Sequence, residues 1–246
     1  YRGKLHVGDV LTVKHAGTDE LTNDTVAVRE ILDGGIAIID SSRPLQDIVL
    51  DHGNVPLPPY LHRDATANDV KRYQTVWGNK LGSAAAPTAS LNMTEDLLSR
   101  LQQKGIQIKY LTLHVGLGTF LPIRTDNIEE HHMHSEWFNI PADTIEAIKN
   151  TKATHKRVIA LGTTVTRTLE YWGKTGKTSG EDDIFIYPGF DFKVIDALLT
   201  NFHAPKSTVL MLASAFAGWD HLKAAYEHAI AEDYKLLSYG DSMLIC

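Results

Sequence analysis

The sequence predicts an α/β protein: a main domain built on a mainly parallel sheet, preceded by a smaller β-barrel-like domain. Three observations predict it. Residues 1–62 carry short apolar runs separated by turn residues, the pattern of short strands in a barrel-like module. Pro56, Pro58 and Pro59 then make a stiff, extended linker. From 63 to 246, strand-type and helix-type runs alternate, as they do in a sheet with crossover helices.

In the small domain, Leu5, Val7, Val10, Leu11 and Val13 surround a Gly8-Asp9 turn, and Val26–Val28 and Ile36–Ile39 follow, with Gly34-Gly35 as the hairpin turn. Leu45–His52 is a short helix, and Gly53 is expected to close it in the left-handed conformation. In the main domain, Thr94 caps a helix whose first turn holds Glu95 and Asp96 and whose end is Lys104-Gly105. Ile106–Val115 reads as a strand, and Pro141 opens a helix with Ile145 and Ile148 on one face. Arg157–Leu161 is a buried strand, followed by Gly162-Thr163-Thr164 and a helix through Trp172. Asp183–Tyr187 reads as another strand, stopped by Pro188-Gly189. Residues 192–202 run into Pro205, which delays helix until Ser207; the helix ends at Gly218. An amphipathic helix over Asp220–Glu232 precedes late strands at Lys235–Ser238 and Met243–Ile245.

With 43% hydrophobic and 22% charged residues, the 246-residue chain has ordinary globular composition. The longest apolar run, Val209–Ala217, is far short of the roughly 20 residues of a membrane span, so no membrane partner is expected. The net charge of −6 argues against a general nucleic-acid coat, though not against a local basic patch. The single Cys246 excludes an intrachain disulfide and fits a cytoplasmic protein. Tyr1-Arg2-Gly3-Lys4 reads as the middle of a chain, so an N-terminal part is expected to precede it.

Polar clusters fall where strands end. His114-Val115-Gly116-Leu117-Gly118-Thr119-Phe120 brings a histidine beside glycines that let backbone approach a ligand, or it is a plain tight turn. Gly162-Thr163-Thr164 offers backbone N–H groups to an anion at a helix start, or Thr163 simply caps the helix. Arg167 suits a carboxylate, or a salt bridge to Glu170 one turn on. Glu129–Glu136 holds three histidines and several carboxylates, but its spacing matches no zinc pattern, and a solvated polar loop is the alternative to a metal site. Asn201-Phe202-His203-Ala204-Pro205-Lys206 packs an amide, an imidazole and an ammonium between a buried run and a helix start, where open α/β folds bind ligands. Ser238-Tyr239-Gly240-Asp241-Ser242 is a turn carrying a carboxylate. The small residues of Gly82–Leu91 leave room for a ligand or another backbone.

Together these clusters resemble one family. Gly-x-x-Ala-Ala-Pro-Thr-Ala from Gly82, Thr-Leu-His-Val-Gly-Leu-Gly-Thr-Phe from Thr112, Met-His-Ser-Glu from Met133 and Gly-Thr-Thr-x-x-Arg-Thr-Leu-Glu from Gly162 occur in order. Thr-Asn-Phe-His-x-Pro-Lys-Ser-Thr from Thr200, Ser-Ala-Phe-Ala-Gly from Ser214 and Ser-Tyr-Gly-Asp-x-Met-Leu-Ile from Ser238 complete the set. They are similar to the S-adenosylmethionine:tRNA ribosyltransferase-isomerase family of queuosine biosynthesis. Two features depart from it. Ser90-Leu91-Asn92-Met93 stands where the family has Gly-Leu-His-Phe, and its Asn-Asp-Thr-Arg motif is absent, since Asn23-Asp24-Thr25 is followed by Val26.

The resemblance implies that the ribose of S-adenosylmethionine, a co-substrate, is moved onto the aminomethyl-deazaguanine base at a tRNA wobble position and isomerised to an epoxycyclopentanediol, releasing adenine and methionine. No metal is expected, and the protein is expected to act as a monomer. For this chemistry His203 and His114 are the candidate bases, and Asp241, Glu136 or Glu170 would pair the sulfonium or the amine. Gly116, Gly118, Gly162, Thr163, Thr164, Arg167, Asn201 and Phe202 would hold S-adenosylmethionine, Arg167 and the 162–164 backbone taking its carboxylate. Phe120, Phe202 or Tyr239 would stack on adenine or the target base. Pro87, Thr88, His134, Lys206 and Tyr239 would meet the RNA and its base, with Lys71 and Arg72 as further phosphate contacts. The rival readings are a metal-dependent hydrolase using His131–Glu136 and a non-catalytic RNA-binding fragment.

Overall fold

A computed structural model describes residues 4–32, 36–80, 82, 83, 85–115, 128, 131, 133 and 135–246, without the Pro59 side chain. Contacts divide the chain into two compact units, Tyr1–Val70 and Lys71–Cys246.

The smaller unit is an antiparallel meander, β1 (Val10–Lys14), β2 (Leu21–Leu32) and β3 (Ile36–Ser41), followed by α1 (Leu45–His52). Leu32 pairs with Ile36, while the turn expected at Gly34-Gly35 lies outside the described residues. Three strands in this order leave two sheet edges, so the described residues form no closed barrel. Val28 and Ile48 are the buried apolar contacts. Asp24 is half-buried in a polar clamp: the Arg43 guanidinium donates to both its oxygens at 2.9 Å, and His52 Nε2 lies 2.9 Å from Oδ2. The Arg43 hydrogen bonds hold the Asp24 carboxyl at about 2. This pins α1 to β2 and gives Asn23-Asp24-Thr25 a structural use. Gly53 does not adopt the expected left-handed closure; its φ of −72° and ψ of 162° are extended. Glycine is needed there because a Cβ would run into the Val49 carbonyl, to which Gly53 N–H donates.

The larger unit contains two three-stranded sheets. In one, β4 (Thr112–His114), β5 (Glu136–Asn139) and β7 (Ser179–Asp182) are antiparallel. In the other, β6 (Ile159–Leu161) and β8 (Ala197–Asn201) are parallel, and β9 (Ser242–Ile245) is antiparallel to β8. The mainly parallel sheet expected from strand–helix alternation is therefore reduced, among the described residues, to one parallel pair. It is the pair whose connection carries a long crossover helix, α5 (Thr163–Thr175). The two units divide within α2 (Ala67–Arg72). The larger unit also holds α3 (Glu95–Gln103), α4 (Ala142–Ala153), α6 (Thr208–Ala217) and α7 (Trp219–Ala231). Phe138, Ile140, Ile148, Ala160, Leu169, Ile186, Leu198 and Leu212 meet in the core.

The helix starts follow their caps. Thr94 Oγ1 accepts from Leu97 N–H and Ser207 Oγ from Leu210 N–H, each at 3.2 Å. The strand expected at Asp183–Tyr187 is displaced to Ser179–Asp182. Asp182 Oδ1 takes the Ile184 N–H at 3.0 Å, which turns the chain out of the ladder. Ile186 is then buried by packing alone. Lys235–Ser238 is a turn, with Leu237 at φ 69° and the Asp241 carboxylate accepting from Lys235 N–H at 2.7 Å.

Glu170 anchors the approach to β8. Its oxygens accept from the N–H groups of Lys193, Val194 and Ile195 at 2.8, 3.0 and 2.9 Å, fully buried. Glu170→Ala strands three donors and is expected to cost about 3 kcal/mol or more in urea unfolding, with Glu170→Gln recovering part. A loss below about 1 kcal/mol would mean that other groups satisfy these donors.

Candidate functional site

The site is organised by the C-terminal ends of β6 and β8. After Leu161 the chain turns at Gly162, whose φ of 96° favours glycine, and its N–H donates to Leu199 O at 2.8 Å across the parallel pair. Having no side chain, Gly162 cannot cap α5. Thr163 does not cap it either; it is the first helical residue. After β8, the loop through Pro205 brings in the start of α6, with Lys206 exposed at φ 57°. A small cleft of about 320 Å³, open mouth included, lies between the two helix starts. Thr163, Thr164 and Arg167 line one side, Thr208, Val209 and Leu212 another, and Met133 and Ile184–Ile186 the rest. Its polar lining is thus the first turn of an uncapped helix with Arg167 on one side and Thr208 on the other, in an otherwise apolar wall. That combination suits a carboxylate carried on an apolar chain.

Arg167 does not salt-bridge to Glu170. Its Nη2 donates to Glu136 Oε2, and its Nε lies 3.4 Å from Asp182 Oδ2 without a hydrogen bond. All three residues are buried. Glu136 and Asp182 face each other directly across β5 and β7, so strand register itself sets two carboxylates side by side under α5. Burial pushes the Asp182 carboxyl up, opposed by the Arg167 charge, while Thr168 Oγ1 donates to it at 3.2 Å. Glu136 is accordingly held beneath the cleft by Arg167. Asp182 is not singled out by the sequence: it lies one residue before the expected strand, in the polar run Ser179-Gly180-Glu181-Asp182, which carries no apolar alternation.

A second group gathers at the ends of β8 and β9, where Asn201 pairs with Ser242. His203 Nε2 lies 3.0 Å from Thr200 Oγ1, and its backbone N–H donates to Tyr226 Oη at 2.6 Å. Burial alone lowers its imidazole to about 4, so it is neutral at pH 7. Burial likewise pushes the Tyr226 hydroxyl up. Phe202 is buried edge-on against Tyr226, 5.2 Å between ring centres, and is a core contact. Asn201 is buried, with its amide donating to Asp241 O at 3.4 Å and its Oδ1 accepting from no described residue. Asp241 is exposed and uses Oδ2 on Lys235 N–H.

The short turn Thr88–Ser90 joins these groups. Ala89 is buried within van der Waals reach of Gly162. Asn92 Nδ2 donates to Gly240 O at 2.9 Å and Ser242 Oγ at 3.0 Å, so the departure at Asn92 serves as a clip on the 238–242 turn. Pro87 and Thr88 are half-buried at the same turn. His114 stands elsewhere, on β4: its ring stacks on Trp137 at 4.9 Å, and Gly82 lies against it so closely that a Cβ there would strike the imidazole. Its Nδ1 has no partner among the described residues. Gly116, Gly118, Phe120 and His134 lie outside the described residues. Of the histidine-rich stretch, His131 packs edge-on against Phe185 at 5.1 Å, and no cluster of three or more metal-type ligands occurs among the described residues.

Residues 2–245 match the family model described as "Queuosine biosynthesis protein". Among curated proteins, the chain is 54% identical to the S-adenosylmethionine:tRNA ribosyltransferase-isomerase of Pelodictyon phaeoclathratiforme, over all of this chain and 72% of that one. It is 52% identical to the protein of that name from Chlorobaculum parvum, over the same shares. Among solved structures, S-adenosylmethionine tRNA ribosyltransferase from Thermotoga maritima is similar, with a TM-score of 0.55 and 30% identity over 99% of this chain and 72% of that one.

Proposed function

Because the chain belongs to the queuosine biosynthesis protein family, we propose that it transfers and isomerises the ribosyl group of S-adenosylmethionine onto the aminomethyl-deazaguanine base at the wobble position of tRNA, as a cytoplasmic enzyme. Adenine and methionine leave. The observation that carries this reading in the structure is the uncapped start of α5 opening into an apolar cleft beside Arg167. The methionyl end of S-adenosylmethionine has the matching form: a carboxylate for the first-turn N–H groups and, between it and the sulfonium, a short aliphatic chain for Met133, Phe185, Val209 and Leu212.

In this reading Arg167, already paired with Glu136 and Asp182, orders the floor of the cleft, and the first-turn N–H groups of α5 take the carboxylate. The sulfonium acidifies the ribose carbon beside it, and a base must take that proton. His203, neutral through burial, is our candidate base, with His114 as the alternative. Asp241, exposed on the 238–242 turn, would pair the incoming amine.

Calorimetry tests the carboxylate assignment. S-adenosylmethionine is expected to bind about 10- to 100-fold more tightly than its decarboxylated analogue, the worth of a charge-assisted contact to backbone N–H groups. Equal affinities would overturn it.

A further inference from the structure

The turn that carries Tyr239 is fixed far beyond what a surface turn requires. Asn92 clips Gly240 and Ser242, Leu237 N–H donates to Phe202 O at 3.0 Å, and Asp241 N–H to Lys235 O at 2.7 Å. Gly240 lies so close to the backbone of Lys235 and Leu236 that no Cβ fits there. On this mount the half-buried Tyr239 ring meets the buried Tyr73 edge-on at 5.6 Å, and the exposed Arg72 guanidinium stands 5.8 Å over its centre. Lys71 is exposed beside Arg72.

An aromatic ring locked from below with an exposed guanidinium above it is a stacking platform. A base slipped between them needs about 7 Å, two stacking steps of about 3.4 Å. Arg72, at the exposed end of α2, supplies the difference by moving about 1 Å. We propose that Tyr239, braced by Tyr73 and overhung by Arg72, stacks a nucleobase of the RNA substrate, with Arg72 and Lys71 meeting its phosphates. In a chain of net charge −6, such a pairing of cations with an aromatic is a local means of holding a polyanion. The prior fixing of the turn lowers the ordering cost of binding. This assignment rests on the tRNA-modifying function proposed above.

The test is fluorescence anisotropy with a labelled anticodon stem-loop RNA bearing the aminomethyl-deazaguanine, as a function of salt, alongside calorimetry with S-adenosylmethionine. Tyr239→Leu is expected to weaken RNA binding about 5- to 100-fold, Tyr239→Phe to stay near wild type, and both to keep S-adenosylmethionine affinity. Arg72→Gln, at an exposed position that leaves folding intact, is expected to lower the slope of log K against log salt by about one. Unchanged RNA binding in Tyr239→Leu, an unchanged salt slope in Arg72→Gln, or a loss of S-adenosylmethionine affinity in place of RNA affinity would each overturn the platform. Should the wild type bind no RNA, the functional reading fails and takes the platform with it; variants that match a wild type that does bind RNA refute the platform alone.

Discussion

Arg167→Ala is expected to lower stability by about 3–5 kcal/mol, the cost of removing one member of a buried ionic group. The reason lies in strand register. Glu136 and Asp182 are direct neighbours on β5 and β7, both buried, and Arg167 is the cation between them. Without it, two carboxylates face each other in a dry interior. The cost should be relieved by acid. Burial already raises the Asp182 carboxyl, so the folded variant takes up a proton there before the unfolded chain does. Its stability should therefore rise as pH falls from neutral toward that window, and be lost again as pH rises through the folded value. Adding Glu136→Gln and Asp182→Asn should restore much of the loss at neutral pH, because amides need no counter-charge. Urea unfolding at two pH values reads all of this. A loss below about 1 kcal/mol, typical of an exposed pair, would show that water reaches the group.

His203→Ala is expected to slow adenine release about 10²- to 10⁴-fold, the range for losing a positioned general base. S-adenosylmethionine affinity should change little. The structural contribution of the same imidazole is separable through its pH dependence. Its folded value, about 4, is below the ordinary 6.5, so the unfolded chain binds the proton first as pH falls. The linked stability is therefore complete above about 6.5 and is lost between there and about 4, roughly 3 kcal/mol in all. His203→Gln should flatten this acid slope while remaining inactive. If activity survives in the glutamine variant, the residue is a core histidine and His114 becomes the base to examine.

Much of the local structure is legible because its causes are local. Thr94 and Ser207 cap helices through their own hydroxyls, Pro141 precedes α4, and Gly162 marks the β6–α5 switch through its positive φ. Contacts set by distant pairing are not legible. The i, i+3 neighbour of Arg167 is Glu170, yet Glu170 serves the 193–195 backbone, and Arg167 reaches two strands remote in sequence. Asp183–Tyr187 has strand-like residues, but a side-chain bond from Asp182 ends the ladder first. The closeness of Gly82 to His114 and the clip from Asn92 to Gly240 likewise depend on the tertiary fold. Of the proposed site, the chemical types were readable from residue identity. Their grouping into a cleft at α5 and α6 and a second cluster at β8 and β9 was not.

The most direct test of the account is to incubate the protein with S-adenosylmethionine and tRNA carrying the aminomethyl-deazaguanine, and to follow both products and nucleosides by mass spectrometry. Adenine and methionine are expected in equal amounts, matched by an epoxycyclopentanediol-bearing nucleoside. Formation of S-adenosylhomocysteine with a methylated nucleoside, or no adenine at all, would contradict it.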